Sequence, residues 1–246
     1  MFMLRGNFSP DFKDIFMALQ EVAVSDPYSQ DVFGKIISHN DGWGFVSIGD
    51  NYISHYKSVE PVFNSQIPDI NGNAIIVHVR KSGKAGPFGM VNAHPYYRTT
   101  STHDIYLSHN GFLGKEEMGS KYGKEYVYSH SDSEIFLDKL VNYEGDPVSK
   151  IKQSLDFVYN NNALKGGINL FILAVNRKSG EKEMFVYMDA LNFKLYHELY
   201  HINFEGYSGI FSSSLLTSKY FPKYTSKTML QRKILYKMTA NSLQEL

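Results

Sequence analysis

The sequence contains no cysteine. That single absence excludes disulfides, zinc–thiolate centres and a thiol nucleophile. It also lacks any run of about 18 apolar residues, so no membrane-spanning helix is expected. It has no excess of charge either, with 25 Lys and Arg against 25 Asp and Glu. A broad nucleic-acid footprint draws on surplus cations, so no nucleic-acid partner is expected. The opening MFMLRGNFSPDFKD carries an Arg and acidic residues where the apolar stretch of a signal peptide would continue. The cytoplasm is the expected location. What is present is ample: 246 residues, 43% hydrophobic and 20% charged, enough for a globular fold with a sizeable core. No composition shift, repeat or low-complexity tract marks a linker, so one domain over residues 1–246 is expected.

Local patterns give elements at both ends and in the middle. Residues 1–6 suggest a short strand. Residues 11–24 carry Phe12, Ile15, Phe16, Leu19 and Val22 at helical spacing. Residues 41–54 suggest a hairpin turning at 49–51, and 74–79 (AIIVHV) suggest a buried strand. Residues 104–108 suggest a strand that ends in a turn at Asn110-Gly111, a dipeptide that tolerates positive φ. Residues 131–142 form a helix pattern that Ser131 or Asp132 could cap, with Glu134 three residues after Ser131. A second amphipathic helix follows at 147–160. Strands are expected at 169–176, 183–189 and 209–213, while 229–238 suits either strand or helix. Strands outside and helices between fit an α+β arrangement of two mostly antiparallel sheets covered by helices.

Four short motifs occur in order: GWGF at 42–45, HVRK at 78–81, NAHP at 92–95 with HNG at 109–111, and SDSE at 131–134. Taken singly, each has an ordinary explanation as a hairpin with a core Trp, a salt-bridged strand end, a turn or a helix cap. As an ordered set they resemble the class II glutamine amidotransferases, in particular the compact members that stand alone without a synthase domain. The resemblance covers residues 1 to about 140 with motifs and extends weakly to GIFSSSLL at 209–216. It implies a four-layer αββα N-terminal-nucleophile hydrolase fold. It implies a glutamine or γ-glutamyl ligand, with Arg80 on the carboxylate, Asp132 on the amino group, and Asn110 and Gly111 as oxyanion donors. Residue chemistry agrees. Arg80 offers a planar fork for a carboxylate. Asp132 at a helix start can accept from an ammonium, and Asn110 with the Gly111 N–H can face an oxyanion. His78 and His109 join the substrate-binding candidates. With His94 they are expected to order the pocket rather than hold a metal, since no metal-ligand spacing is present. No cofactor is expected. Trp43 is expected in a pocket wall or the core.

The sequence departs from the family at the first strand. Active members begin with cysteine once the initiator Met is removed, and the free amino group serves as base. Gly6 falls where the family has a glycine after its first strand, and this puts Phe2 at the nucleophile position. With Met1 retained, residue 2 would also carry no free amino group. Ser9 is the nearest downstream hydroxyl, and exposing it as a terminus would need cleavage after Phe8. Gly83 stands near a threonine that relatives use beside the carboxylate, and the loop at 81–89 is rich in Gly. The expectation is a homologue that keeps the recognition pocket without amide hydrolysis, binding a glutamine-type ligand or regulating a partner protein. An active amidohydrolase or amidotransferase with another nucleophile is the alternative, and a purely structural or interaction protein the second. A homodimer is expected only from the frequency of such assemblies.

Overall fold

The computed structural model describes all residues except 51, 83–86 and 88. In chain order run β1 (Phe2–Gly6), α1 (Ser9–Val24), α2 (Gln30–Phe33), β2 (Trp43–Ile48), β3 (Ile53–Ser58), β4 (Ala74–Val79), β5 (Tyr96–Thr99) and β6 (His103–Leu113). Next come α3 (Lys115–Met118), α4 (Lys124–Ser129), α5 (Asp132–Asn142), α6 (Pro147–Asn160), β7 (Leu164–Asn176) and β8 (Lys182–Ala190). The chain ends with β9 (Leu199–Asn203), β10 (Tyr207–Ser212), β11 (Ser226–Met229), β12 (Leu235–Met238) and β13 (Leu243–Glu245).

These strands form two sheets, ordered β11-β9-β10-β1-β4-β2-β3 and β13-β12-β8-β7-β6-β5. Every ladder is antiparallel. Three cores separate four layers. Phe12, Ile15, Phe16 and Leu19 of α1 pack on Phe2, Leu4, Val77 and Phe211 of the seven-stranded sheet. Met3, Ile76 and Ile210 meet Phe171, Leu173 and Val186 between the sheets. Ile135, Phe136, Ile151 and Leu155 of α5 and α6 pack on Leu107, Leu170 and Phe185 of the six-stranded sheet. The chain is therefore the expected αββα sandwich. β4, β7 and β8 carry near-continuous apolar runs because both their faces are covered.

The helices start where local chemistry directs. Pro10 lies in the first turn of α1. The Ser131 hydroxyl caps α5 by accepting the Glu134 N–H at 3.0 Å, and Asp146 caps α6 by accepting the Ser149 N–H at 2.8 Å. Among the described residues, no helix is long and apolar enough to cross a membrane.

Some expectations change. The strand expected at 104–108 continues through Asn110-Gly111 to Leu113, paired with β7, with a register shift between Gly111 and Leu113. A long ladder overrides the local turn preference. Gly111 is there for close approach, since a Cβ on it would lie 1.8 Å from the Gly167 carbonyl oxygen. Residues 229–238 hold strand rather than helix. The hairpin turns between Ile48 and Ile53, with Asn51 outside the described residues.

Candidate functional site

Strand parity decides what faces the site. Phe2 pairs with Val77 on β4 and Phe211 on β10, and all three side chains lie on the α1 side. The Phe2 ring is fully buried, 6.4 Å from Phe12 and 6.1 Å from Phe211. Successive residues of a strand point to opposite faces. Met1 and Met3 therefore point between the sheets, as does His78, one residue beyond Val77. The Met1 nitrogen donates to Ser212 Oγ at 3.2 Å.

Gly44 stands opposite His78 in the β2–β4 register. A Cβ there would meet the His94 carbonyl oxygen at 2.4 Å. The glycine in GWGF thus lets the NAHP segment lie over the sheet. The His78 and His94 rings sit 4.2 Å apart, and His94 meets the Tyr96 ring edge-on at 4.8 Å. Tyr96 donates to the Asn92 carbonyl at 3.1 Å and accepts from the Ser131 hydroxyl at 2.7 Å. Tyr96 joins this site without any sequence motif of its own, apart from following Pro95.

The end of β6 supplies the other wall. Tyr106 faces the inter-sheet core and Leu107 the helices, so Asn110 faces between the sheets and His109 faces α5. His109 Nδ1 lies 2.9 Å from the Ser133 hydroxyl. Asn110 interacts with the Tyr196 phenol, which burial pushes up. Asp132 is the first residue of α5, where the helix dipole favours its charge. Its oxygens accept the Leu113 N–H at 2.8 Å and the Ser133 N–H at 2.9 Å. Oδ1 also accepts from the Ser133 hydroxyl at 3.4 Å, which leaves Oδ2 with a lone pair for a further donor. The first of these bonds fixes the backbone just past the irregularity after Gly111.

Arg80 follows β4 and is only 8% exposed. Its Nη2 donates to the Pro87 carbonyl at 2.9 Å, while Nη1 is buried with no partner among the described residues. Arg80 and Asp132 both act on the Tyr96 phenol, so the two groups expected to hold opposite ends of an amino acid share one neighbourhood. His109 belongs to it too, acting on both His78 and His94. Gly83 lies outside the described residues.

His78, His94 and His109 are held toward their neutral forms. Burial pushes His78 and His94 well below the ordinary value, with Arg80 and neighbouring histidines adding to the effect. Burial also lowers His109. His78 Nδ1 and both His94 nitrogens are buried without a partner among the described residues. Each such group costs about 1–3 kcal/mol until something satisfies it. Among the described residues no group of three His, Cys, Asp or Glu is placed to hold a metal. Trp43 lies in the core on the α1 side, its N–H held by the Ser65 hydroxyl at 2.9 Å.

A buried network beside the site had no sequence signal. Asp26 accepts from the Ser214 hydroxyl at 2.7 Å and lies 3.0 Å from His39 Nε2. Burial pushes the Asp26 carboxyl up, but the hydrogen bonds from His39 and Ser214 outweigh it and hold it below its ordinary value. The network ties the segment after α1 to the turn after β10.

Comparison with known proteins agrees with this geometry. Residues 29–178 match the family model described as class-II glutamine amidotransferases. No curated protein matches the chain. Among solved structures, glutamine phosphoribosylpyrophosphate amidotransferase from B. subtilis, complexed with ADP and GMP, aligns with a TM-score of 0.65 at 18% identity. The alignment covers 100% of this chain and 48% of that one, so this chain spans about half the length of that relative. At such identity the likeness speaks for the fold, which is that of the N-terminal-nucleophile hydrolases. With the family model spanning more than half of the sequence, the chain belongs to the class II glutamine amidotransferases.

Proposed function

We propose that this protein binds glutamine or a γ-glutamyl compound through Arg80 and Asp132 without hydrolysing the amide. The observation that carries the reading is the buried guanidinium of Arg80, whose Nη1 has no partner among the described residues, on a strand end that His78, His94 and Tyr96 link to Ser131 beside Asp132. A buried donor of this kind calls for an acceptor, and the α-carboxylate of an amino acid supplies a planar one. Its ammonium then meets Asp132, and its side-chain amide oxygen meets Asn110 and the Gly111 N–H. His78 and His109 border this pocket as neutral groups. Hydrolysis is left out of this reading because Phe2 has no heteroatom and the Met1 side chain, which faces the inter-sheet side, is a thioether. Without amide cleavage, the pocket serves ligand sensing or the regulation of a partner protein.

Isothermal titration with glutamine and glutamate tests this. Saturable heat is expected in the micromolar to millimolar range, lost in Arg80→Ala, with no ammonia released. No heat at millimolar ligand, or an unchanged isotherm in Arg80→Ala, sinks the reading.

A second reading rests on Ser212, whose hydroxyl lies 3.2 Å from the Met1 nitrogen on the inter-sheet side. That hydroxyl donates to the Met1 carbonyl at 3.2 Å, and a serine hydroxyl becomes a nucleophile once a base takes its proton. Glutamine-dependent ammonia release that vanishes in Ser212→Ala would favour it over the first.

A further inference from the structure

Two open grooves adjoin near the Leu195–His197 turn, the larger lined by Lys194 and His197. One has a volume of about 610 Å³ and the other about 290 Å³, and they share Leu191 and Arg232 as lining. Four cationic side chains line the pair: Lys165, Lys194, Arg232 and Lys233. The carboxylates there are Asp31 and Asp189. Asp189 is buried and consumed by Arg232, which donates Nε at 2.9 Å and Nη2 at 2.7 Å to one oxygen, and by the Tyr159 phenol at 2.7 Å on the other. In a chain with no net charge, this is a local concentration of positive potential.

The cations are set differently. Arg232 is fixed: Nη2 also donates to the Ala190 carbonyl at 2.8 Å, and the guanidinium rests 4.8 Å from the Phe193 ring. Its Nη1 makes no hydrogen bond among the described residues. Lys165 pairs with Glu117 at 2.6 Å. Lys194 is exposed, and among the described residues its ammonium forms no ion pair.

A second observation points to a ligand. His197 is 8% exposed and lines the larger groove. Its Nδ1 accepts the Lys194 N–H at 3.2 Å, which places the ring proton on Nε2. Burial lowers the ring's proton affinity, so it stays a neutral donor. Nε2 makes no hydrogen bond among the described residues. The larger groove is therefore lined by the His197 ring and by cations from Lys194 and Arg232, beside apolar Val32, Leu191 and Phe193. Donors and cations beside an apolar lining suit an anion attached to an organic body.

We propose that this groove binds the phosphate group of a small organic phosphate. His197 and Arg232 hold the oxyanion, Lys194 in the larger groove and Lys233 in the adjoining smaller one neutralise it, and the apolar lining takes the organic part. The site is joined to the one described above. The His197 carbonyl accepts from Asn169 Nδ2 at 2.8 Å, Asn169 pairs with Asn110 across β6 and β7, and Tyr196 interacts with Asn110.

Inorganic pyrophosphate, titrated into the full-length ¹⁵N-labelled protein at low salt, is the probe. Saturable shifts are expected at the Lys194 and His197 amides and at the Asn110 side-chain amide, with affinity falling as salt rises. The double variant Lys194→Gln, Lys233→Gln touches only side chains that form no ion pair among the described residues. It is expected to keep its fold and weaken binding at least about tenfold, the equivalent of about 1.4 kcal/mol. Malonate is the carboxylate control and is expected to bind more weakly than pyrophosphate. The proposal is overturned by no saturable shift at millimolar pyrophosphate, by shifts confined to other surfaces, by unchanged affinity in the double variant, or by malonate binding as well as pyrophosphate. None of these outcomes involves Arg80, so they stand apart from the fate of the glutamine reading.

Discussion

The two faces of the seven-stranded sheet near β1 are built on opposite terms. On the α1 side, Phe2, Phe12, Phe16, Trp43 and Phe211 interlock. The one polar atom brought there by Trp43 is satisfied by Ser65. On the inter-sheet side the packing is just as apolar around Met3, Ile76 and Ile210. At its end it turns to His78, faced by His94, whose ring nitrogens have no partner among the described residues. The first face lowers the free energy of the fold. The second raises it, because desolvated polar groups without partners are costly. A strand alternates between faces residue by residue, so one position along β1 separates a packing residue from a site residue. Phe2 falls on the packing side, which gives its aromatic ring a structural reason that is independent of the chemistry of the pocket.

The largest expected effect tests the packing face. Phe2→Ala removes a fully buried ring between two aromatic neighbours and is expected to cost about 3–5 kcal/mol in urea unfolding. Glutamine affinity in the surviving folded protein is expected to stay within about twofold, a change of less than 1 kcal/mol. A cost under about 1 kcal/mol, or a collapse of binding with stability intact, would put Phe2 in the site and erase the distinction.

The next effect tests the polar face through pH. His78, His94 and His109 have folded pKa values below the ordinary value of about 6.5. Their neutral forms are compatible with burial and their charged forms are not. Their contribution is therefore complete above about pH 6.5. It is lost as pH falls, because the unfolded chain then binds protons that the folded chain does not. The slope is at most about 1.4 kcal/mol per pH unit for each histidine. Stability should drop through the range from about pH 6.5 to 5, and His94→Gln should flatten the curve by about one proton's share. A flat profile over that range would mean that the imidazoles are not held neutral.

Much of this architecture was legible in the sequence, and the exceptions have physical causes. The spacing of Phe12, Ile15, Phe16, Leu19 and Val22 gave α1, and Ser131 with Glu134 gave the start of α5, because helix periodicity and capping are local. The path through Asn110-Gly111 was not legible. Turn preference is local, whereas the ladder that overrides it comes from β7, more than fifty residues on. The exposed strands β11 and β13 carry no apolar alternation to detect. The face taken by Phe2 was hidden for a related reason. Met1, Phe2, Met3 and Leu4 are all apolar, so alternation could not assign sides until the pairing with Val77 and Phe211 fixed them. Asp26, His39 and Ser214 meet only through tertiary folding, and no spacing announces them. The site residues on motifs were named from the sequence. What it lacked was the partition between them, with Asn110 facing between the sheets and His109 facing α5.

The smallest expected effect concerns what holds α5, and with it Asp132, against the six-stranded sheet. Arg98 on β5 donates Nε to Asp138 at 2.5 Å and Nη2 to Glu134 at 2.9 Å, and the Tyr126 phenol also donates to Asp138. About a third of the Arg98 side chain is exposed, so solvent screens these bonds. Bidentate geometry puts them at the upper end of the range for surface pairs. Arg98→Met keeps the aliphatic stem and is expected to cost about 1 kcal/mol at low salt, less as salt rises. Asp132 is held separately by the Leu113 N–H, so glutamine affinity should change little. If Arg98→Met instead abolishes binding while stability barely moves, the position of α5 rather than the histidine-lined face governs recognition, and the contrast between the two faces of the other sheet loses its functional meaning.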